Sequence, residues 1–594
     1  MISGHDVKYS NYTSKDAAIG WPSWIKPLVW AVLLAILIMV ALPTLLYPLT
    51  RDQGIYAYIA DLMMRGGAPY RDAWELKTPG VFFMYWLAFL IFDRSEFAVR
   101  LFDVLYALLS AASVYALARE VFRILPQRQN VASSREEQNT SNYIALCSAW
   151  IYAFCYYLLV HFHSAATPEA FMIPFLVASV YGIVRGVRNK RSSLLLLGGV
   201  ASGFVFWFKP TGGLVILAVL IWAGVEIWRG RWGLARTLSS LMMFALGVVL
   251  GLLPIGWYLY GHGLAELLEI WRAYGTRAYL QARGLALGSG PLAMLDVIMR
   301  YVRDWQLFVW LSLAGVIGIF AHCRRGSRIL PVLRQGTVIV VFLLSSVVAV
   351  FLQGKLFEYH WIPILVPMSI LSASSVVGLA QEIRGQVGGV LHDMRSIFSV
   401  MIIVGLLLWM GYDHLVRYRR VAAYLTGRLS AEQYYAQFDI GKDFSHIGTC
   451  RAATYLHEHT KSDETALIWG VEPLVNFLAQ RRSPTSYISF YVLVNGEDSN
   501  PRFEAWRQDF LEDIQRSPPT YIILVNNDVT PLAPLGSRAQ LDQIPAFKRI
   551  LETEYSFETQ IEDYLFYRRR TGTGMKKVSC AMRNLRSPFH TTCV

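Results

Sequence analysis

The stretch that decides the fold runs from Thr50 to Gly80 and reads TRDQGIYAYIADLMMRGGAPYRDAWELKTPG. It opens on a capping box, because Thr50 can cap a helix while the Gln53 side chain reaches back to the backbone N–H of the cap. Apolar residues then recur at i, i+4, i+7 and i+8 until two glycines end the pattern. They are Ile55, Ile59, Leu62 and Met63. The stretch therefore predicts an amphipathic helix suited to lying along a membrane surface.

Asp52 falls in the first turn of this predicted helix. The positive end of the helix dipole favours an ionised carboxylate there, and that role alone would explain an acid at this position. A catalytic role becomes the stronger interpretation only if other charged residues gather beside Asp52. The rest of the chain decides between the two.

The composition is that of a membrane protein. Of the 594 residues, 54% are hydrophobic and 14% aromatic, and the mean hydropathy is +0.37. The net charge of +13 does not indicate a nucleic-acid partner, because the basic residues cluster in short loops and no Lys/Arg stripe alternates with stacking aromatics. The six cysteines have no CxxC or metal-ligand spacing and imply no disulfide framework.

About eleven apolar runs approach the roughly 20 residues that a spanning helix needs. They are 29–48, 97–118, 143–161, 170–186, 193–209, 212–228, 237–259, 306–322, 334–352, 361–381 and 397–413. No small-residue cleavage site follows the first run, so it is interpreted as an uncleaved helix after a cytoplasmic segment, 1–28. The run 81–92 is too short to cross. It is interpreted as a juxtamembrane or re-entrant piece of a first outer loop, 49–96.

The loop charges orient this topology. Loops containing Arg123, Arg188, Arg229 and Arg325 fall on one side, which the positive-inside rule makes cytoplasmic. The predicted protein is multi-pass, with a cytoplasmic N-terminus, and most naturally belongs to a bacterial inner membrane. The outer side then carries Asp52, His161, His163, Glu169, Lys209, the 260–305 loop, residues 355–360 and everything after 413.

After residue 413 the pattern becomes that of a soluble domain. Helical periodicity over 443–459 precedes a short strand, Ala466–Trp469, and a helix near 502–516 precedes a second strand, Tyr521–Val525. This alternation predicts an extracytoplasmic α/β domain over 414–570. The remaining 571–594 lacks periodicity and is predicted to be disordered.

Three lysines stand beside predicted spans, where an ionisable residue is costly and usually serves a site. Lys209 lies in WFKPTGG (207–213), Lys77 near the end of the opening stretch, and Lys355 in QGKLFEYH (353–360). Lys77 and Lys209 have a simpler explanation as lysines that snorkel to the headgroups, and the 353–360 turn has one as an interfacial belt of aromatic and basic residues. The sequence favours a binding role for Lys209 and for the 353–360 turn, and leaves Lys77 evenly balanced.

A metal site is the weaker interpretation of the histidines. His161, His163 and Glu169 could ligate a divalent ion, but their spacing matches no established zinc signature. Pro168 also interrupts the helix that would align them. The sequence therefore predicts no metal and no other cofactor, with a divalent metal as the minor alternative. Glu169 is better assigned to a sugar hydroxyl or to a helix start.

Taken in order, these motifs resemble a known family. The set is DQ (52–53), GGxPYxD (66–72), WExKTPG (74–80), SEFAVR (95–100), TPE (167–169), FK (208–209) and KLFEYH (355–360). It is similar to the polytopic GT-C glycosyltransferases, closest to the protein O-mannosyltransferase and lipid A aminoarabinose transferase types. The resemblance covers 29–413 and implies a mainly α, polytopic, GT-C-like catalytic domain, followed by the C-terminal extracytoplasmic α/β domain.

The resemblance also implies a reaction. The donor would be a sugar on a polyprenyl phosphate, the acceptor a lipid, glycan or protein on the outer side, and the anomeric carbon would invert. By match to the family motifs, Asp52 would be the general base, and Lys77 and Lys209 would hold the lipid phosphate. Two departures stand out: Gln53 replaces a second acid, which lowers the expectation of a metal there, and KPPG is KTPG here, which is expected to loosen the turn.

The residues themselves suit this chemistry. A polyprenyl phosphate leaves as a stable anion, so the site needs cations rather than a general acid, and a base opposite them. Lys355 would add to the phosphate-binding cations, and the predicted substrate-binding residues are Tyr56, Glu169, Tyr359 and His360. Two other classes stay open at this stage, namely a transporter or lipid flippase and a non-catalytic membrane assembly factor. Transporters tend to show two repeated halves and a midplane site, neither of which is visible.

Overall fold

The structure is a computed structural model and describes residues 25–123, 131–278, 291–324, 330–386, 412, 415–440, 444–494, 501–526, 528–529 and 535–570. The predictions for most of 1–28, for most of the helix at 397–413 and for the tail 571–594 lie outside these residues.

Long apolar helices form the first two thirds of the chain. They are α1 Ile25–Ala41, α2 Arg51–Met64, α3 Gly80–Phe92, α4 Glu96–Val121, α5 Val131–Leu159, α6 Pro168–Asn189, α7 Ser192–Phe208, α8 Gly212–Arg229, α9 Leu234–His262, α10 Leu264–Ile270, α11 Pro291–Asp304, α12 Gln306–Arg324, α13 Leu330–Leu352 and α14 Leu365–Gln386. Every apolar run predicted within the described residues falls on a helix. The 260–305 segment, expected as a loop, contains α10 and α11.

Six of the described helices are long and apolar enough to cross a membrane, or up to eight if each of two bent pairs counts as one span. Three shorter apolar helices accompany them: α3, α7 and the 336–352 part of α13. The predicted number of about eleven spans includes two of these shorter helices and stays a prediction.

The helix that carries Asp52 has the predicted bounds and cap. The Thr50 backbone N–H donates to Gln53 Oε1 at 2.9 Å, and Gly66, at φ 81°, follows the last turn. The axis of α2 turns by 75° from the preceding apolar helix. Its apolar stripe does not face lipid, however: Ile55, Ile59 and Leu62 are buried in protein. The amphipathic pattern is that of a helix covered by another domain.

The C-terminal domain provides that cover. Its helices are 415–425 (α15), Ala431–Tyr435 (α16), His446–His459 (α17), Pro473–Ala479 (α18), Tyr491–Val494 (α19), Pro501–Arg516 (α20), Ser537–Gln540 (α21) and Pro545–Glu554 (α22). The strands are β1 Ala466–Trp469, β2 Tyr521–Val525, β3 Tyr555–Ile561 and β4 Tyr564–Arg569. The predicted strands β1 and β2 are both present and pair in parallel, with Ala466 opposite Tyr521.

The sheet has the order β1-β2-β4-β3. The hairpin β3–β4, which the sequence analysis did not predict, lies antiparallel to β2 and forms the far edge. All of β1 and β2 is buried, although β1 is an edge strand, whereas β3, at the other edge, is mostly exposed. The domain is therefore α/β, with a mixed rather than a purely parallel sheet.

The C-terminal domain docks directly on α2. Arg51 Nε lies 2.5 Å from Glu472 Oε1, just before α18. Burial raises the pKa of Glu472 to about 7, against the opposing effect of Arg51. Gly54 permits the close approach, because a Cβ there would stand 2.6 Å from the Leu474 Cβ. One turn further on, Tyr58 accepts a hydrogen bond from the backbone N–H of Ser483 at 2.9 Å. The helix with the candidate base is thus shared between both domains.

Candidate active site

Asp52 and Lys77 meet at the N-terminal end of α2. Lys77 Nζ lies 3.8 Å from Asp52 Oδ2, and the Asp52 side chain keeps 38% of its surface exposed. The arrangement leaves the Asp52 carboxylate beside a cation and open to a substrate.

Lys209 forms the second charged centre. Its ammonium donates to Glu169 in the first turn of α6, and His360 Nε2 lies 3.8 Å from the same Glu169 oxygen. Since an unpaired charge in this buried setting would be costly, the Glu169 carboxylate is the charge partner that Lys209 needs.

The ring of Tyr359 joins the two centres. Lys77 Nζ and Lys209 Nζ each lie 5.4 Å from its centroid. This distance is within the range of a cation–π contact. Two lysines far apart in sequence therefore contact one aromatic ring.

The KTPG segment fixes this arrangement. The Thr78 hydroxyl donates to the backbone carbonyl of Phe208, the residue before Lys209. Gly80 packs against the same end of α7: a Cβ at this position would stand only 2.6 Å from the Trp207 carbonyl oxygen. The expectation that threonine loosens this turn is wrong: Thr78 is buried and ties the segment of Lys77 to that of Lys209.

Gln53 does not stand beside Asp52 as a second site residue. Its side chain is fully buried and its amide donates to the Phe162 and Ala165 carbonyls at 2.8 and 2.6 Å. Its oxygen accepts from Arg100 at 3.1 Å. A carboxylate could not donate to two carbonyls, so this position requires an amide.

Tyr56 and Lys355, two further predicted residues, are both buried. Tyr56 is buried, and its ring packs edge-on against Tyr85, with centroids 5.7 Å apart. Lys355, three residues before Glu358 in the sequence, is also buried, and burial lowers the pKa of its ammonium group. The assignments of Tyr56 to substrate and of Lys355 to phosphate stay predictions. Glu75 is a further charged residue near Lys77, and the sequence motif gave it no role. Burial raises the pKa of its carboxyl group, although Lys77 acts in the opposite direction.

Glu169 does not join His161 and His163 as a third candidate metal ligand. It pairs with Lys209, whereas Glu358 lies between His161 and His163, at 2.8 Å from each. The histidines and the lysine centre thus have separate carboxylates. Pairing across nearly two hundred residues could not be read from local spacing.

Comparison with known proteins gives the class. The family described as dolichyl-phosphate-mannose-protein mannosyltransferase matches residues 76–130 and 137–257. These stretches contain Lys77, Arg100, Glu169 and Lys209, while Asp52 precedes them. No curated protein sequence matches significantly. Those two stretches are similar to the mannosyltransferase family, and the apolar helices are those of a polytopic membrane protein.

The fold is more specific. The crystal structure of ArnT from Cupriavidus metallidurans bound to undecaprenyl phosphate matches with a TM-score of 0.51 and 13% identity, over 93% of this chain and 99% of that chain. The apo state of ArnT from the same organism gives a TM-score of 0.49 and 13% identity, over 91% and 98%. The chain therefore has the GT-C fold, as its ordered motifs predicted.

Proposed function

We propose that this protein transfers a sugar, a hexose or a pentose, from a polyprenyl-phosphate donor to an acceptor hydroxyl on the outer side of a bacterial inner membrane. The observation that carries the proposal is the pair of lysines over Tyr359 beside an accessible Asp52. The lipid donor is supported by the similar fold of ArnT, which was crystallised with undecaprenyl phosphate.

The donor phosphate would bind over Tyr359, between the two lysines. As the glycosidic bond breaks, negative charge grows on the phosphate oxygens, and cations held in place beforehand stabilise that charge without reorganising. Lys77 can turn from Asp52 to the phosphate, which frees the carboxylate. Lys209 stays oriented by Glu169.

Asp52 would act as the general base. It would take the proton of the acceptor hydroxyl as that oxygen attacks the anomeric carbon from the face opposite the phosphate. One bond forms as the other breaks, so the configuration inverts. A positioned base of this kind contributes typically about 10²–10⁴-fold.

The test uses membranes that contain the full-length protein and a panel of radiolabelled polyprenyl-phosphate sugars, both hexoses and pentoses. The wild type is expected to release polyprenyl phosphate, and Asp52→Asn to do so at least about 100-fold more slowly. Asp463→Asn, which changes an exposed acid of the C-terminal domain, is the matched control.

The outcomes separate the alternatives. A flippase or an assembly factor would leave every donor intact, and that result with folded protein overturns the proposed function. An Asp52→Asn protein that turns over at the wild-type rate overturns only the assignment of the base.

A further inference from the structure

A cluster of two histidines and one carboxylate lies outside the machinery described above. His161 Nδ1 is 2.8 Å from Glu358 Oε1, and His163 Nε2 is 2.8 Å from Glu358 Oε2. The two imidazole rings are nearly parallel, at 17°, with centroids 5.7 Å apart. One ligand atom from each of the three residues lies within 4.8 Å of the others.

The backbone around this cluster is held in place. The His161 N–H donates to Glu358 Oε1 at 3.0 Å, which orients the carboxylate. Between the histidines, the Phe162 carbonyl accepts from Gln53 at 2.8 Å and from Arg100 at 3.1 Å. Both donors are buried. The loop that presents the imidazoles is therefore fixed by the residue that follows Asp52, as a preorganised ligand set requires.

We propose that His161, His163 and Glu358 bind one divalent transition-metal ion, with Zn²⁺ as the representative. Two imidazoles and one carboxylate form a ligand set that zinc accepts, and three protein ligands leave a fourth tetrahedral position open. All three residues line a cavity of about 810 Å³. The open position faces this cavity and takes water or an oxygen atom of a bound substrate.

The alternative is a plain set of hydrogen bonds, in which each facing nitrogen carries a proton and donates to Glu358. A metal replaces these two protons, so binding releases them and tightens as the pH rises. With metal–ligand bonds of about 2.1 Å, tetrahedral ligand atoms stand about 3.4 Å apart. Each imidazole has to move about 0.6 Å away from the Glu358 oxygen that it contacts at 2.8 Å, and the imidazoles are 47% and 39% exposed.

The site adjoins the lysine centre through its own chain. Glu358 precedes Tyr359, the residue under Lys77 and Lys209, and Tyr359 also lines the cavity. Arg300 and Arg417 line it as well, which makes it suited to an anionic or hydroxylated group. A metal ion here would bind an oxygen of that group within this cavity.

The test measures metal directly on the purified full-length protein, carrying an affinity tag without histidines. After treatment with chelator and return to micromolar Zn²⁺, elemental analysis is expected to find about one equivalent per chain in the wild type. Co²⁺ in place of Zn²⁺ is expected to give visible absorption bands. His161→Gln and His163→Gln should each lower bound metal at least about 10-fold at the same Zn²⁺ concentration.

His459→Gln, at an exposed histidine of the C-terminal domain, is the matched control and should keep the wild-type equivalent. Elution volume in gel filtration and thermal unfolding show whether each variant is folded. If His163→Gln does not fold, His161→Gln, at the more exposed position, provides the test. Less than about a tenth of an equivalent in the wild type overturns the proposal, and so does the same metal content in wild type and folded His161→Gln.

Discussion

Gln53→Glu is expected to lower the free energy of unfolding without changing Asp52, the candidate base next to it. The substitution places a second acid after Asp52, as relatives have it, but removes the two amide protons that reach the Phe162 and Ala165 carbonyls. The Phe162 carbonyl keeps Arg100 as a donor, so only the Ala165 carbonyl loses its donor, at a cost of about 1–3 kcal/mol. A charge-assisted bond to Arg100 recovers about 1 kcal/mol, but the new carboxylate oxygen faces both carbonyl oxygens, so the net loss is about 1–3 kcal/mol.

The measurement is thermal unfolding in detergent, followed by intrinsic fluorescence, for Gln53→Glu and Asp52→Asn side by side. Asp52 is partly exposed, and its substitution should change stability by less than about 0.5 kcal/mol while removing transfer. Gln53→Glu should show a clear fall in melting temperature. If Gln53→Glu has the same melting temperature as the wild type, or if it gains activity that depends on an added metal, the assignment of Gln53 as a structural residue is wrong.

Three further predictions concern other parts of the structure. Lys209→Ala should raise the KM for the lipid donor, lower kcat, or both, and unchanged donor titrations would remove Lys209 from the site. Glu472→Ala should lower the free energy of unfolding at pH 8 by about 3 kcal/mol, because it removes the buried carboxylate that pairs with Arg51, whereas Glu458→Ala, at an exposed position, should not. Burial lowers the pKa of His446 despite nearby Glu96 and Asp439, so its contribution to stability is present above about pH 6.5 and is lost as the pH falls. The melting temperature of His446→Gln should therefore depend less on pH between 7 and 5 than that of the wild type, and an equal slope would contradict this role.

Most of the helical framework could be predicted because a spanning helix must satisfy its own backbone and therefore carries a long, local apolar signal. The strands β1 and β2 were predictable for a similar reason, since each is a short apolar run between turn residues. The hairpin β3–β4 was not, because YSFETQI and YLFYRR mix polar and aromatic residues at a sheet edge. The apolar stripe of α2 was predicted correctly. That it packs against the C-terminal domain was not, because a lipid surface and a protein surface select the same apolar residues.

The candidate site was predicted residue by residue but not pair by pair. Asp52, Lys77, Lys209 and Tyr359 were each singled out, whereas their order around one ring depends on contacts between distant segments. Gln53 and Thr78 were treated as departures from a motif, although both make buried hydrogen bonds that their family counterparts could not make in the same way. Glu358 was quoted within its motif and given no role, because nothing local connects it to His161.

The Gly54–Leu474 contact also limits how this chain can be recombined. A Cβ at Gly54 would overlap Leu474 across the domain boundary, so the two positions must change together. A chimera that takes its C-terminal domain from a relative would therefore have to take α2 from the same relative. The boundary at which the two halves can be exchanged does not coincide with the boundary between membrane and soluble sequence.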